Sequence, residues 1–596
     1  MHNEKGDFTT SRRTLWITLL ALGIGAVGSV TAMALMKLIG FFTNLFFFQT
    51  FSWSFASPAQ NHLGWWVILP PVVGGILVGL MARYGSDRIR GHGIPEALEA
   101  ILFGKSKMSL KVALLKPISS AIAIGSGGPF GAEGPIIMTG GAFGSLMAQA
   151  FHLTAAERKT LLVAGACAGM SAVFFSPLAA TLLAVELLLF ELKPRSIIPV
   201  AAACVVAAML RPFLLGPGPL FPVPEHPVLP LKGLLFSILC GLIAGLASAL
   251  LTKLVYILED LFQKLPFHWM WFPAIGGMVV GIGGYFEPKA LGVGYDVIAD
   301  FLKGDSSATA AFFLILVKAF IWSFALGSGT SGGVLAPLLI IGGGLGVAEA
   351  AFFPAEGANS LWPLVSMTAI LGGVMRVPFC AVAFALELTH DTNAILPLLI
   401  ASIAAYTITV LTMKRSILTE KVARRGFHVL REYTVDLLER NHVGDVMTRK
   451  PLVFQETWPL SRALKIMGQS HKHQGYPVVD ATGRLVGMVS RWEIMKNRAA
   501  RDLKIRNLMN PNPIVAYPSD PCRAAAARMA RHHIGRLPVV SSSQPWKLLG
   551  ILTRSDLLKL NERHFEEEEV HEKFIGVVPS KVVKLPSSRP PFQKGA

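Results

Sequence analysis

The feature that most constrains this chain is a glycine-rich segment that occurs twice. Residues 125–135 read GSGGPFGAEGP and residues 327–337 read GSGTSGGVLAP, and the two align without a gap. A second pair, residues 177–187 and 378–388, agrees one position out of that register. Each copy lies in apolar sequence, which predicts two repeated halves of a membrane protein. Glycine-interrupted segments at matching places in two halves indicate a binding site near the membrane midplane of a transporter.

Composition excludes an ordinary soluble enzyme, because 52% of the 596 residues are hydrophobic and only 15% are charged. Apolar runs extend from Leu15 to about Met413, and the remainder resembles a soluble protein. The net charge is +18, and basic residues flank the first and last apolar runs. That bias is typical of cytoplasmic membrane edges rather than of a nucleic-acid partner. We therefore expect an integral protein of the prokaryotic inner membrane, with both termini cytoplasmic and no signal peptide.

Several apolar segments are shorter than the roughly 20 residues that span a bilayer. Short helices are tolerated where their ends are buried in protein or line a polar cavity. The glycine-proline stretches at 91–95, 125–135 and 327–337 are therefore predicted to be helix N-termini inside the membrane. Such termini bind anions through free N–H groups and the helix dipole.

Glu133 lies in one of these glycine-rich turns. A carboxylate inside a membrane is costly unless it has a partner. Helix termini that attract an anion would also hold the charge of Glu133, so this residue is predicted to compete with a transported anion and act as a gate. The alternative is a glutamate that only caps its own helix.

The soluble part contains a second repeat. Residues 443–448 resemble residues 505–510, and each copy is followed by a Pro-Val-Val strand and by a strand that leads into a helix. This pattern predicts two α/β units, at about 443–497 and 503–562. The tail over 566–596 has an acidic run and no core pattern, and we expect it to be flexible.

Three motifs carry a resemblance to a known family. Gly131–Pro135, Gly91–Pro95 and Gly333–Pro337 resemble, in the right order, the three anion-site signatures of the CLC chloride channels and chloride/proton antiporters. The soluble repeats resemble a pair of CBS domains. The resemblance covers nearly all of the chain and implies an all-α polytopic membrane protein of the CLC type, with inverted repeats and broken helices, plus a cytoplasmic α/β CBS-domain pair.

The resemblance also implies domain limits and a function. A transmembrane anion-transport domain is expected over 1–430, with inverted repeats at about 14–215 and 231–413, followed by the CBS pair over 431–565. The expected protein is a homodimer with one anion path in each subunit. It transports chloride, is not an enzyme, and is gated by Glu133 with voltage or pH dependence.

The resemblance places the anion among the following residues: His92, Gly93, Ile94, Gly131, Ala132, Gly333, Val334, Leu335 and Leu418. Four of them depart from the family pattern, since His92 replaces a serine, Ala132 an arginine or lysine, Leu335 a phenylalanine and Leu418 a tyrosine. Backbone N–H groups near Val334 and Leu335 must then do more of the coordination. His92 either donates a hydrogen bond to the anion or fills space. Chloride is the expected anion, with fluoride or bicarbonate as alternatives.

Proton coupling is where the sequence departs furthest from the antiporters. The position of their inner glutamate is Leu187, and Glu186 lies one residue earlier. One residue along a helix turns a side chain by about 100°, which points Glu186 away from the path. Its counterpart Glu387 suggests a shared structural role for the two glutamates. The sequence therefore favours channel-like flow, and chloride/proton antiport through a water chain stays open as the alternative.

In the CBS pair, Thr553 and Asp556 fit the pattern that binds the phosphate and ribose of an adenine nucleotide, and Ser490 and Glu493 fit it less well. ATP, ADP or AMP is the expected ligand, and a purely structural pair is the alternative. No other cofactor and no metal is expected. A CBS-bearing cation transporter would need carboxylates in its pore, and a membrane enzyme would need a cluster of catalytic groups; the membrane domain shows neither pattern.

Overall fold

The computed structural model describes residues 10, 12–223, 225–352, 360–427, 429, 431, 437–469, 473–544 and 546–560. The chain divides into two compact units, a larger one over the described residues up to 431 and a smaller one over those from 437 on. The expected flexible tail over 566–596 lies outside the described residues, as do most of the residues next to the expected border at 430.

The larger unit is helical throughout, as predicted. Its helices are α1 Arg13–Thr43, α2 Leu69–Tyr84, α3 Ile94–Leu102, α4 Leu110–Gly125, α5 Glu133–Gln149, α6 Ala155–Phe174, α7 Pro177–Leu183, α8 Pro194–Leu214, α9 Leu231–Gln263, α10 Phe272–Phe286, α11 Tyr295–Lys303, α12 Ala308–Gly327, α13 Leu335–Ala350, α14 Leu361–Met375, α15 Pro378–Thr389, α16 Ile395–Thr412 and α17 Ile417–Arg424. A π-helical turn at Ala184–Leu189 extends α7. Seven helical spans in the described ranges are long and apolar enough to cross a membrane.

The two halves correspond helix by helix. Helices α2 to α8 follow one another as α10 to α16 do, and the short helices fall at the same places. Helices α3 and α11 have nine residues each, about half of what a bilayer span needs. Broken helices within a repeated helical membrane fold are therefore confirmed.

Glycines allow the helices that follow the repeated turns, α5 and α13, to pack closely against α6 and α14. A Cβ built on Gly140 of α5 would lie 3.0 Å from the carbonyl carbon of Gly165 in α6, and the reverse distance is also 3.0 Å. In the second half, a Cβ on Gly342 of α13 would lie 2.7 Å from the Cα of Met367 in α14. Small residues stabilise membrane helix pairs in this way, because lipid gives little hydrophobic drive for association and close backbone approach supplies the contact.

The smaller unit is an α/β pair, also as predicted. Its elements are α18 Leu437–Arg440, α19 Val443–Val446, β1 Phe454–Gln455, α20 Leu460–Gln469, β2 Gly475–Val479, β3 Leu485–Ser490, α21 Arg491–Lys496, α22 Cys522–Arg531, β4 Arg536–Val540 and β5 Leu548–Thr553. A helical segment over 554–560 follows β5. Strand β2 pairs with β1 in parallel and with β3 antiparallel, and β4 pairs with β5 antiparallel.

Each repeat of the smaller unit completes the sheet of the other. Thr448, from the start of the first repeat, exchanges backbone hydrogen bonds of 2.9 and 3.0 Å with Ile551 in β5. Asn510, from the start of the second, exchanges bonds of 2.7 and 3.0 Å with Met488 in β3. Because neither sheet is complete without the partner repeat, the two α/β units form one folded body.

Candidate anion site

Helices α5 and α13 meet at their N-termini. The N–H of Gly131 donates to the carbonyl of Gly333 at 3.3 Å, and the N–H of Gly333 donates to the carbonyl of Gly131 at 2.9 Å. The two glycine-rich segments of the repeat are thus in direct contact, and α5 and α13 begin two residues after these glycines. Since helix N-termini carry partial positive charge, their meeting point attracts an anion. We call this point, from Gly131 to Glu133 and Gly333 to Leu335, the junction.

The N-terminus of α3 joins the junction. A Cβ built on Gly93 would lie 2.6 Å from the carbonyl oxygen of Gly134, and one on Gly134 would lie 3.3 Å from the Cα of Gly333. Only glycine permits this approach of three backbones. The residues assigned to the anion by resemblance are all buried: His92, Gly93, Ile94, Gly131, Ala132, Gly333, Val334, Leu335 and Leu418. Leu418 belongs to α17, which packs against α3.

The carboxylate of Glu133 lies in the junction. A Cβ on Gly333 would be 2.6 Å from its Oε2, and Gly131 lies against both of its oxygens. The side chain is fully buried. Neither oxygen has a partner at hydrogen-bond distance among the residues that the structure describes. The carboxylate therefore faces the N-terminus of α13 as well as its own helix.

His92 is buried at 1% exposure. Its Nδ1 has no hydrogen-bond partner within the described part of the chain. A buried polar atom without a partner is unfavourable, which favours a ligand role over simple packing. Leu335 and Leu418 bring no hydroxyl to the site, so the polar groups that remain for an anion there are backbone N–H groups and the His92 imidazole.

Two buried lysines were not found by sequence reasoning. The Nζ of Lys116 in α4 donates to the carbonyls of Ile89 and Gly91, at 2.9 and 2.7 Å, and to Ser331 Oγ at 2.9 Å. The Nζ of Lys318 in α12 donates to two carbonyls, those of Ala290 and Gly292, both at 2.9 Å. These hydrogen bonds from the two lysines hold the turns that precede α3 and α11 in place. A lysine nine residues before the first glycine of each repeated segment, Lys116 before Gly125 and Lys318 before Gly327, was the available signal.

Glu186 and Glu387 each cap the helix that starts in the other half. Glu387 accepts hydrogen bonds from the N–H groups of Leu178 and Ala179 at 2.8 Å each. Glu186 accepts from Cys380 at 2.8 Å and from Phe379 at 3.4 Å. These contacts give both side chains a structural role at the starts of α7 and α15. Leu187 is fully buried.

A polar cavity of about 500 Å³ adjoins the turn before α3. Its charged lining is more basic than acidic: Asp87, Arg88, Arg90, Glu99, Glu259, Lys421, Arg424 and Arg425. It reaches Gly329, whose carbonyl accepts a hydrogen bond from Gly91 at 3.2 Å. A cavity with excess positive charge raises the local concentration of anions.

The predicted nucleotide residues are engaged in helix caps. Thr553 N–H and Oγ1 donate to Asp556 Oδ2 at 2.9 and 2.7 Å. Ser490 N–H donates to Glu493 Oε2 at 2.7 Å, and Glu493 N–H returns a bond of 3.2 Å to Ser490 Oγ. Each pair is a capping box at the start of the helix that follows β3 or β5. Their role toward a nucleotide stays a prediction.

The larger unit is thus a membrane protein of two repeated halves whose broken helices meet around an anion-attracting centre. Comparison with known proteins agrees. Residues 73–410 match the family described as "Voltage gated chloride channel", and residues 443–500 and 505–562 each match the CBS domain. The chain therefore belongs to the CLC family of voltage-gated chloride channels and carries two CBS domains.

Individual relatives cover the membrane unit. A ClcB-like protein of Ralstonia nicotianae, described as a chloride channel, is 27% identical over 384 residues, which cover 62% of this chain and 88% of the relative. The H(+)/Cl(-) exchange transporter ClcA of Citrobacter koseri is 28% identical over 355 residues, 55% of this chain and 74% of the relative. The solved structure of a slow cyanobacterial Cl-/H+ antiporter shares the fold, with a TM-score of 0.63 at 22% identity over 70% of this chain and 99% of the other.

Proposed function

We propose that this protein exchanges chloride for protons across a prokaryotic cell membrane, with Glu133 as the group that serves both ions. The observation that carries the proposal is the position of the Glu133 carboxylate in the junction, where a transported anion would bind. The Citrobacter relative is described as an exchange transporter, which supports exchange rather than the channel-like flow that the sequence favours.

The exchange follows because the Glu133 carboxylate and the transported anion compete for the junction. When Glu133 is ionised, its carboxylate is attracted to the positive N-termini of α5 and α13. It then occupies the junction, so no anion can bind there. A protonated Glu133 is neutral, is held less strongly by those ends, and leaves the junction to an anion. When the anion moves on and the side chain returns, it releases its proton. Protonation and anion occupancy are thereby linked.

Chloride is the proposed anion, with fluoride and bicarbonate as alternatives. The junction offers backbone N–H groups and, from His92, an imidazole without a partner at Nδ1 in the described chain. Such a site coordinates through weak dipoles and holds its ligand loosely enough to release it. The basic cavity beside α3 supplies the approach from the side of α17.

Channel-like flow is the second candidate, because the inner proton position is Leu187 and Glu186 is occupied in capping α15. The test is a chloride gradient imposed at symmetric pH on vesicles that contain the purified protein. Exchange predicts uphill proton movement that is lost in Glu133→Gln. Chloride flux without proton movement in the parent would support the channel and contradict exchange.

We further propose that an adenine nucleotide binds between the CBS repeats through Thr553 and Asp556. Calorimetry on the full chain in detergent, with ATP, ADP and AMP at millimolar concentration, should show binding that is lost in Asp556→Ala. Glu493→Ala, the equivalent change in the first repeat, is the matched control and should retain binding. No heat with any of the three nucleotides would contradict the proposal.

The proposed assembly is a homodimer with both termini and the CBS pair in the cytoplasm. The basic residues that follow α16 and line α17 support this orientation under the positive-inside rule. Protease accessibility of the CBS pair in inside-out vesicles tests the orientation, and the mass of the detergent-solubilised protein tests the dimer. Protection in inside-out vesicles, or a monomer mass, would contradict the respective statement.

A further inference from the structure

The turn before α11 repeats the backbone of the turn before α3. We call residues 91–94 the α3 turn and residues 292–295 the α11 turn. Gly91 and Gly93 have φ of 79° and 86°, and Gly292 and Gly294 have φ of 61° and 75°. These values lie in the left-handed region that glycine adopts freely. The two turns therefore have the same Gly-x-Gly conformation and lead into helices of equal length.

The same contacts hold both turns against the junction. Gly91 N–H donates to the carbonyl of Gly329 at 3.2 Å, and Gly292 N–H donates to that of Gly127 at 3.0 Å. Each turn is thus bonded to the segment that leads into the central helix of the other half. A buried lysine fastens the carbonyls of each turn, as described above. The two turns are therefore equivalent positions around one centre.

The turns lie on different sides of the membrane unit. The α3 turn contacts α17, since a Cβ on Gly91 would lie 3.4 Å from Lys421 Cε. The α11 turn contacts the loop after α1, since a Cβ on Gly292 would lie 2.9 Å from Pro58 Cγ. Helix α1 has 31 residues, about 46 Å at 1.5 Å per residue, which exceeds a bilayer core of about 30 Å. Its basic start and the basic α17 fit the same, cytoplasmic, edge.

Tyr295 stands in the α11 turn where Ile94 stands in the α3 turn. Its side chain is 8% exposed, and its ring lies among Phe55, Phe174 and Phe221 at centroid distances of 6.2, 6.3 and 6.0 Å. Its hydroxyl is buried and has no hydrogen-bond partner in the described ranges. The α11 turn that carries Tyr295 is bonded to the segment that leads to Glu133, as described above. Within the described residues, the Tyr295 hydroxyl and both Glu133 oxygens are therefore buried polar atoms without partners on adjoining segments.

We propose that the Tyr295 hydroxyl is the hydrogen-bond partner that receives the Glu133 side chain when it leaves the junction. A phenol suits both forms of the gate, because it donates to a carboxylate and accepts from a protonated carboxyl. At the position equivalent to Tyr295 the α3 turn has Ile94, which can do neither. Of these two equivalent positions, only the one in the α11 turn offers the gate side chain a hydroxyl. Tyr295 is a positioning residue for Glu133, and this role rests on the proposed function.

The test is a double-mutant cycle measured as chloride flux from reconstituted vesicles. Tyr295→Phe removes the hydroxyl and keeps the ring in its aromatic surroundings. Without its second resting place the carboxyl leaves the junction less often, and flux should fall by about five- to tenfold, the effect of one buried hydrogen bond. In a Glu133→Ala background the same change should alter flux by less than twofold, because the side chain that it serves is absent. Tyr285→Phe, on the exposed side of α10, is the matched control and should leave flux unchanged.

Flux of Tyr295→Phe within twofold of the parent would overturn the proposal. An equal loss in both backgrounds would also overturn it, since that result means a structural effect of the hydroxyl. The Glu133→Ala variant alone distinguishes failure of the Tyr295 proposal from failure of the proposed function. If this variant leaves chloride flux and its proton coupling unchanged, Glu133 is not the gate.

Discussion

Changes at Glu186 and Glu387 test whether Glu186, the carboxylate nearest the inner proton position, carries protons or only caps a helix N-terminus. Glu387→Gln leaves one oxygen to accept from α7 and turns an amide N–H₂ toward the other backbone N–H. One charge-assisted bond at 2.8 Å is lost and a donor is left without a partner, which costs about 2–3 kcal/mol. Glu186→Gln should cost less, about 1–2 kcal/mol, because one of its two bonds is already 3.4 Å long.

The assay is thermal unfolding in detergent together with proton coupling in vesicles. Both variants should unfold earlier than the parent, with the larger loss for Glu387→Gln, and both should retain the parent's ratio of protons to chloride. Each variant is the control for the other, because the two glutamates occupy equivalent places in the halves. Loss of proton coupling in Glu186→Gln but not in Glu387→Gln would refute the capping role and identify Glu186 as the proton carrier.

Three further changes test other parts of the molecule. Gly140→Ala places a methyl group against Gly165, so α5 and α6 must separate and the protein should lose about 1–3 kcal/mol of stability, measured by thermal unfolding. Gly23→Ala in α1, where a Cβ would lie 3.4 Å from Met147 Cε, is the control and should keep the stability of the parent. His92→Ser should change relative halide affinities, and unaltered selectivity would make His92 a packing residue. Burial raises the pKa of Cys522 to about 11, so maleimide should label it at pH 8 only after unfolding. Because an unfolded thiol titrates at about 8.5, the stability that this proton contributes is complete below that pH and is lost as pH rises toward 11.

The repeat and the broken helices could be predicted because they leave local marks in the sequence. The glycine-rich segments that contain Gly131 and Gly333 align without a gap. Several of the apolar segments around them are too short to span a bilayer. Glu133 was identifiable because a carboxylate in such a turn is rare. The family assignment and fold are confirmed by the comparisons.

Lys116, Lys318 and Tyr295 were missed for a physical reason. Their importance depends on which groups the fold brings to them. The matching places of the two lysines mark the repeat without showing what each lysine binds, and Tyr295 belongs to no motif. Residues 91–93 and 292–294 share a Gly-x-Gly pattern that could have been matched between the halves. The match is short, because the central residue is histidine in one copy and valine in the other.

The preference for channel-like flow was drawn from Leu187 at the inner position and from the helix-face argument that turns Glu186 away from the path. A missing carboxylate does not show whether water carries protons there, and the relatives include both a chloride channel protein and an exchange transporter. The capping boxes at Ser490 and Thr553 show a similar limit, because the same residue types that hold a ribose also begin a helix.

The central claim is that the Glu133 carboxylate occupies the place of the transported anion. Bromide, which replaces chloride and scatters anomalously, tests this directly in crystals of the parent and of Glu133→Gln grown in the same bromide concentration. The account predicts an anomalous peak between Gly131 and Gly333 in the variant, and a weak or absent peak there in the parent. Equal peaks in the two proteins, or no bromide at the junction of Glu133→Gln, would contradict it.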